Sequence, residues 1–162
     1  MQVMRYKISD NEYIYDVKNN NIASHSKSKI ILVLDTSFSM GGTPWKFLQS
    51  IKETLISYGY DSYDTIEIIT FSDSAQRYTI NIKEIHTVDI LRGRTFMSSV
   101  PEILANLFDI QYNYTVFIIS DGALNDISLT KQNIKKHLNS SFKNVTIHMI
   151  RYGTDGDTFA LS

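Results

Sequence analysis

The chain has 162 residues, of which 43% are hydrophobic and 20% are charged, and its formal net charge is -1. These values are typical of one globular domain and exclude wholesale disorder, and the near-neutral charge offers no bulk attraction for nucleic acid or an acidic membrane. No cysteine is present, which excludes disulfides, thiolate metal sites and a cysteine nucleophile.

The first 28 residues differ in pattern from the rest. Tyr13–Val17 alternates like a short strand, Asn19–Asn21 predicts a turn, and Ser24–Ser28 predicts a polar connector. We therefore expect an N-terminal extension over residues 1–28, which contributes an extra strand, and a domain over residues 29–162.

The domain begins with a strand and a helix. Ile30–Leu34 is a continuous apolar run that ends at Asp35, as in a strand buried on both faces of a parallel sheet. Pro44 suits the first turn of a following helix, and Gly59 is expected to end that helix. Its apolar face is formed by Phe47, Leu48, Ile51 and Leu55.

The middle of the domain predicts a hairpin and a second helix. Thr65–Phe71 is rich in strand-forming residues, and Tyr78–Ile82 alternates after the polar loop Ser72–Gln76. The helix covers Val100–Phe108, with a capping box formed by Ser99 and Glu102.

The remaining segments complete an alternation of strands and helices. Val116–Ile119 predicts a buried strand, Thr130–Leu138 a third helix and Val145–Ile150 the last strand. This order predicts an α/β fold: a doubly wound, mostly parallel central sheet with one antiparallel edge strand and helices on both faces.

Polar side chains cluster after the predicted strands. Asp35, Ser37 and Ser39 follow the first buried strand, Thr95 lies in the loop before the second helix, and Asp121 follows a later strand. In open α/β sheets, ligand sites form beyond the carboxyl ends of the strands. Two carboxylates with three hydroxyls suit a hard divalent cation, Mg²⁺ or Mn²⁺, whose octahedron is completed by water.

The set Asp35-x-Ser37-x-Ser39, Thr95 and Asp121 resembles the metal-ion-dependent adhesion site (MIDAS) of von Willebrand factor type A (VWA) domains, over about residues 29–156. The resemblance implies a Rossmann-like VWA fold and bound Mg²⁺, with Mn²⁺ or Ca²⁺ as alternatives. It implies that the three hydroxyls contact the ion directly and that the two carboxylates hold it largely through water. It also implies a protein partner whose carboxylate completes the metal sphere.

The sequence departs from the family pattern in four places. Phe38 and Arg94 stand where such motifs often carry glycine. The stretch from Gly59 to Thr95 is short of a full helix before the Thr95 loop, and the family's final helix and edge strand are missing after Ser162. The last departure indicates a domain truncated at its C-terminus.

The favoured function is a divalent-metal-dependent protein-binding module, not an enzyme. One alternative is a structural scaffold that binds partners without metal. Another is a phosphotransferase of the haloacid dehalogenase type, which would normally carry a second Asp where Ser37 stands. Taken alone, the segment Asp35–Ser39 also reads as a helix-capping loop, and Asp121-Gly122 as a turn.

The sequence gives little information about location and assembly. The N-terminus has no apolar signal core, and the longest apolar run is far short of the ~20 residues that a membrane span needs. These features and the lack of cysteine favour the cytoplasm, although a domain excised from a secreted protein would look the same. No membrane insertion is expected, and the sequence does not determine the oligomeric state.

Overall fold

Seven strands and three α-helices lie in the part of the chain that the computed structural model describes, residues 2–9, 12–18, 27–57, 64–90, 92–138 and 144–151. Two short 3-10 helices, Phe38–Met40 and Ile82–Thr87, lie in the connections. In chain order the strands and α-helices are β1 (Gln2–Ser9), β2 (Glu12–Lys18), β3 (Lys27–Asp35), α1 (Thr43–Ser57), β4 (Thr65–Phe71), β5 (Ala75–Asn81), α2 (Val100–Leu107), β6 (Tyr112–Ser120), α3 (Ile127–His137) and β7 (Val145–Arg151).

The strands form one sheet in the order β1-β2-β7-β6-β3-β4-β5. The four central strands, β7, β6, β3 and β4, are parallel neighbours, and β5 pairs antiparallel with β4 at one edge. This confirms the predicted doubly wound sheet and its antiparallel edge strand.

The N-terminal segment adds two strands to the opposite side of the sheet. β2 contains the predicted segment Tyr13–Val17 and pairs antiparallel with β7, while β1 pairs antiparallel with β2. The sequence analysis expected one strand here. The second forms because β2 can satisfy its other edge with a hairpin partner.

The core lies on both faces of β3, whose side chains alternate between them. Ile31 and Val33 belong to a cluster with Val100 and Leu104 of α2. Residues on the other side of β3 pack in a second cluster against α1 and the 3-10 helix Ile82–Thr87. Because β3 is covered on both faces, its run of apolar residues is continuous rather than alternating.

Several element boundaries differ from the sequence-based expectation. β3 begins at Lys27 rather than Ile30, and β6 at Tyr112 rather than Val116. β5 begins at Ala75 because the turn before it needs only the three residues Ser72–Ser74, and α3 begins at Ile127 rather than Thr130. The predicted capping box is wrong: Ser99 has helical dihedral angles (φ -84°, ψ -18°), and its side chain makes no capping hydrogen bond. The expected end of α1 at Gly59 lies outside the described residues. Among the helices that are described, none has both the length and the apolar character to cross a membrane.

Candidate functional site

The candidate site lies at the switch point of the sheet, between the carboxyl ends of β3 and β6. The chain leaves β3 toward β4 on one side, whereas β6 and β7 lie on the other. This divergence opens a crevice at the strand ends, where ligands bind in open α/β sheets. Asp35 is the last residue of β3, and Ser120 is the last residue of β6.

Asp35 is the centre of the site. Its carboxylate is fully buried and accepts hydrogen bonds from the backbone N–H of Ser37 (2.9 Å, Oδ1) and from the hydroxyl of Ser120 (2.6 Å, Oδ2). Burial raises the pKa of Asp35, hydrogen bonds from Ser120 and Ser37 oppose that rise, and the negative charge of Asp121 adds to it.

The loop after Asp35 presents two hydroxyls to the crevice. Ser37 Oγ and Ser39 Oγ lie 3.0 Å apart in a hydrogen bond, and the Phe38 side chain between them is 69% exposed. Thr36 fixes the start of the loop, because its N–H and its hydroxyl both donate to the carbonyl of Phe71 at the end of β4 (2.9 and 3.1 Å).

Thr95 lies in the irregular segment before α2 and is buried. Its N–H donates to Asn125 Oδ1 (2.8 Å), and its carbonyl accepts from the N–H of Asn125 (2.8 Å). Two residues earlier, the carbonyl of Gly93 accepts from the N–H of Phe38 (3.0 Å). The Thr95 segment is thus bonded to the Asp35 loop on one side and to the segment after Asp121 on the other.

Gly93 lies against the side chain of Asp73. A Cβ at position 93 would overlap the carboxylate of Asp73. That carboxylate accepts from the N–H of Arg94 (3.1 Å) and lies 3.6 Å from its Nε. Arg94 at the rim is therefore paired rather than a free positive charge, and its guanidinium lies 5.3 Å from the ring centre of Phe96.

Asp121 begins a tight turn beside Asp35. Its Oδ1 accepts from the N–H of Ala123 (3.0 Å), and the N–H of Gly122 donates to Ser120 Oγ (3.0 Å). Gly122 has φ 88°, which favours glycine. Asp121-Gly122 is therefore a turn, and that turn also places a carboxylate in the crevice.

The structure brings the predicted residues to one edge of the sheet by different means. Asp35, Ser37 and Ser39 form a continuous chain of hydrogen bonds. Asp121 is coupled to Asp35 by charge, and Thr95 is tied in through its backbone.

Sequence reasoning assigned no role to three residues around the site: Ser120, Asn125 and Asp126. Ser120 was visible as the residue before Asp121-Gly122. Asn125 and Asp126 form a polar pair directly before α3. The sequence analysis places the start of this helix three residues too late, at Thr130, so the pair is not recognised as the start of the helix.

The side-chain atoms of the candidate site that could bind a metal ion are all oxygen atoms. Within the ranges that the structure describes, no group of three or more His, Cys, Asp or Glu side chains could hold a metal ion. The candidate set is of another composition, with two carboxylates and three hydroxyls. Such a set suits a hard divalent cation rather than zinc or copper.

Comparison with known proteins identifies the fold. No protein-family model matches the sequence, and no curated protein matches it. Among solved structures, manganese-loaded TRAP protein of Plasmodium vivax has a TM-score of 0.57 at 16% identity, over 89% of this chain and 63% of that one. The von Willebrand factor type A structure from Catenulispora acidiphila has a TM-score of 0.53 at 15% identity, over 85% and 35%.

A third structure, the ArnB paralog VWA2 of Sulfolobus acidocaldarius, has a TM-score of 0.51 at 19% identity, over 83% of this chain and 37% of that one. This chain thus spans less than two thirds of each of these three neighbours. The likenesses show that the chain has the VWA fold, and at such identities they establish the fold alone.

Proposed function

We propose that this VWA-fold chain is a divalent-cation-dependent protein-binding module whose cation is held by Asp35, Ser37, Ser39, Thr95 and Asp121. The observation that carries the proposal is the pair of serine hydroxyls beside the buried Asp35 carboxylate at the switch point. Mg²⁺ is the expected ion. Mn²⁺ and Ca²⁺ are alternatives, and Mn²⁺ is worth testing because the TRAP structure of this fold is loaded with manganese.

The spacing of the two hydroxyls fits an octahedral cation. Two ligand oxygens at right angles, each about 2.1 Å from Mg²⁺, lie about 3.0 Å apart. Ser37 Oγ and Ser39 Oγ are separated by 3.0 Å. One of the two hydroxyls now donates its proton to the other. For both oxygens to serve as adjacent ligands, that proton needs only to rotate away from the ion.

The carboxylates fit a role that is mostly indirect. Both oxygens of Asp35 already accept a hydrogen bond, from Ser37 and from Ser120, so its remaining lone pairs are suited to holding water on the ion. Burial and the charge of Asp121 raise the pKa of Asp35. A nearby cation would favour the ionised form of Asp35.

The chain's own groups leave room for a partner. When bound, the ion supplies Lewis-acid attraction for a carboxylate oxygen. The hydroxyls of Ser37, Ser39 and Thr95 are neutral, so few negative charges would contact the ion directly and a partner's Asp or Glu is not repelled by the direct ligands. The exposed Phe38 beside the site offers the same partner an apolar contact.

The geometry supports binding rather than catalysis. The Ser37 hydroxyl bonds the Ser39 hydroxyl rather than an imidazole that could activate it as a nucleophile. His148 belongs to β7 and stacks on Phe117 with ring centres 5.0 Å apart. A phosphotransferase of the haloacid dehalogenase type would normally carry an Asp at the position of Ser37. We therefore propose that the chain is not an enzyme.

The second candidate is a scaffold that binds its partner without metal. It is favoured by large apolar side chains that lie exposed on the segments following Asp35 and Asp121: Phe38, Trp45, Ile127 and Leu129. The two candidates differ in one measurable respect, which is whether chelation of divalent ions abolishes partner binding.

Thermal unfolding in EDTA and in Mg²⁺, Mn²⁺ or Ca²⁺ tests the metal-dependent function. An ion at a hundred times its Kd should stabilise the parent chain by about 2.7 kcal/mol. Ser39→Ala should lose that gain, whereas Ser99→Ala, an exposed serine without a capping bond, should keep it. No gain in the parent, or the same gain in Ser39→Ala and Asp121→Ala, would overturn the proposal.

A further inference from the structure

We infer that Asn125 and Asp126 are positioning residues that hold Thr95 in the candidate cation site. The inference rests on the proposed function, because that function gives Thr95 its role. It goes beyond the five candidate ligands, since neither residue was among them. The geometry that supports it consists of four side-chain hydrogen bonds and one backbone hydrogen bond made by these two adjacent residues.

The segment that carries Thr95 has no regular secondary structure of its own between residues 92 and 97. Its backbone groups must therefore find partners in other elements. Asn125 supplies two of them: its side-chain oxygen accepts from the N–H of Thr95, and its own N–H donates to the carbonyl of Thr95, both at 2.8 Å. This reciprocal pair fixes the orientation of the Thr95 backbone, and hence the direction of its side chain.

Asp126 holds the chain where this segment ends, at Met97 and Ser98. Its Oδ1 accepts from the N–H of Met97 (3.1 Å), and its Oδ2 accepts from the N–H of Ser98 (2.9 Å). The buried hydroxyl of Thr130 donates to the same carboxylate (3.1 Å) and keeps it in place. Asn133 adds a bond to the carbonyl of Ser98 (2.7 Å).

The position of Asp126 in its own helix shows where its carboxylate is used. Asp126 is the N-cap residue of α3, yet its side chain makes no capping bond to that helix. An Asp at this position normally accepts a hydrogen bond from an N–H in the first turn. Here the carboxylate is turned to the Thr95 segment instead, so local helix capping is given up for contacts with residues almost thirty positions away.

One short segment therefore determines the positions of two candidate ligands. Asp121 lies at its start, and four residues later Asn125 bonds Thr95. On the other side the Thr95 segment is held by Ser72, whose carbonyl accepts from the N–H of Phe96 (2.9 Å). Loss of the Asn125 side chain should consequently free one side of Thr95 while leaving Asp35, Ser37 and Ser39 in place.

A double-mutant cycle on the full chain tests the inference, with Mn²⁺ as the probe and its Kd as the readout. Residues that orient metal ligands typically contribute about 10–100-fold in metal affinity, so Asn125→Ala should weaken Mn²⁺ binding by at least about tenfold. Asn125→Asp keeps the acceptor oxygen and should recover most of the affinity. Because Asn125 acts through Thr95, the double variant with Thr95→Ala should bind no more weakly than Thr95→Ala alone.

Amide hydrogen exchange in EDTA provides a readout that does not depend on metal. Asn125→Ala should accelerate exchange at Thr95, and Asp126→Asn should accelerate it at Met97 or Ser98, while amides of β3 stay protected. Unchanged exchange at Thr95 in Asn125→Ala would overturn the inference at its structural root.

The two proposals fail in different ways. If the parent binds Mn²⁺ and Asn125→Ala binds it equally well, or if the losses in the cycle are additive, the positioning role is overturned and the metal site stands. If the parent binds no Mn²⁺, the proposed function is overturned, and the role of Asn125 in metal binding is overturned with it.

Discussion

The hydroxyl of Ser120 donates to Asp35 Oδ2 over 2.6 Å and so joins the ends of two neighbouring parallel strands. Ser120 Oγ also accepts a hydrogen bond from the N–H of Gly122, so its own hydroxyl proton is directed at Asp35. Through this one side chain, the buried carboxylate of β3 and the turn that carries Asp121 are held in a fixed relation.

We predict that Ser120→Ala destabilises the metal-free chain. The variant leaves a buried carboxylate with one donor fewer, and such a loss costs about 1–3 kcal/mol. Urea unfolding of the parent and the variant measures the difference, with Ser99→Ala as a control that should change stability little. Equal midpoints for Ser120→Ala and the parent would contradict the role of this bond.

Replacement of Asp35 by Asn should change the pH dependence of the chain's stability when metal is removed. Burial raises the folded-state pKa of Asp35 above its ordinary value of 3.8, so in the intervening pH range the folded state holds a proton that the unfolded state releases. The contribution of Asp35 to the free energy of unfolding is therefore greatest below pH 3.8, and it decreases as the pH rises through the folded-state pKa.

Asp35→Asn does not titrate at this position, so its stability relative to the parent in EDTA should increase as the pH rises above 3.8. Chemical denaturation at several pH values measures this difference. The variant should also lose any stabilisation by Mg²⁺. A parent that gains stability over Asp35→Asn as the pH rises in EDTA would show that the sign is wrong.

Gly93→Ala should destabilise the chain through a clash with one side chain. The new methyl group would overlap the Asp73 carboxylate and displace it from the N–H of Arg94. Because the Asp73 side chain is 61% exposed and can move aside, the cost is that of the lost hydrogen bond, about 0.5–1.5 kcal/mol. In an Asp73→Ala background the same substitution should cost less. Thermal unfolding of the four chains of this cycle measures the coupling, and additive losses would exclude the clash as the cause.

Asp126→Ala should cost more stability than Ser99→Ala, although Ser99 is the residue next to α2. Asp126 accepts from two backbone N–H groups and from Thr130, whereas Ser99 makes no capping bond. We expect a loss of about 1–2 kcal/mol for Asp126→Ala and less than about 0.5 kcal/mol for Ser99→Ala. Urea midpoints of the two variants, measured side by side, compare these losses. A larger loss for Ser99→Ala than for Asp126→Ala would contradict this prediction and would indicate that Ser99 caps α2 after all.

The sequence predicted those parts of the fold that depend on local pattern. Ile31–Leu34 reads as a doubly buried strand because every residue of the run is covered by a helix on one face or the other. Asp35 and Asp121 could be placed at one sheet edge because they follow strands that are parallel.

Long-range hydrogen bonds could not be predicted in the same way. Ser99 has capping-box spacing but makes no capping bond. The N–H groups just before α2 are bonded instead by Asp126, which lies in another loop. No local feature of the sequence distinguishes these two cases. The partners of Asp126 are separated from it by 28 and 29 positions, and only the fold brings them together. The hydroxyl of Ser120 is an equivalent case, since its partner Asp35 is 85 positions away.

The antiparallel pairing of β2 with β7 has a consequence for the order in which the chain can fold. Ile14 pairs with Ile150, so contacts of the first hairpin with the sheet close a loop that contains most of the described chain. A two-stranded hairpin on its own is at best marginally stable in water. The contacts between β2 and β7 also cost the conformational entropy that is lost when this long loop closes. β1 and β2 precede the other described strands and are made before them, yet β2 can dock on the sheet only after β7 has been made. These two strands are therefore among the last of the described strands to reach their native neighbours.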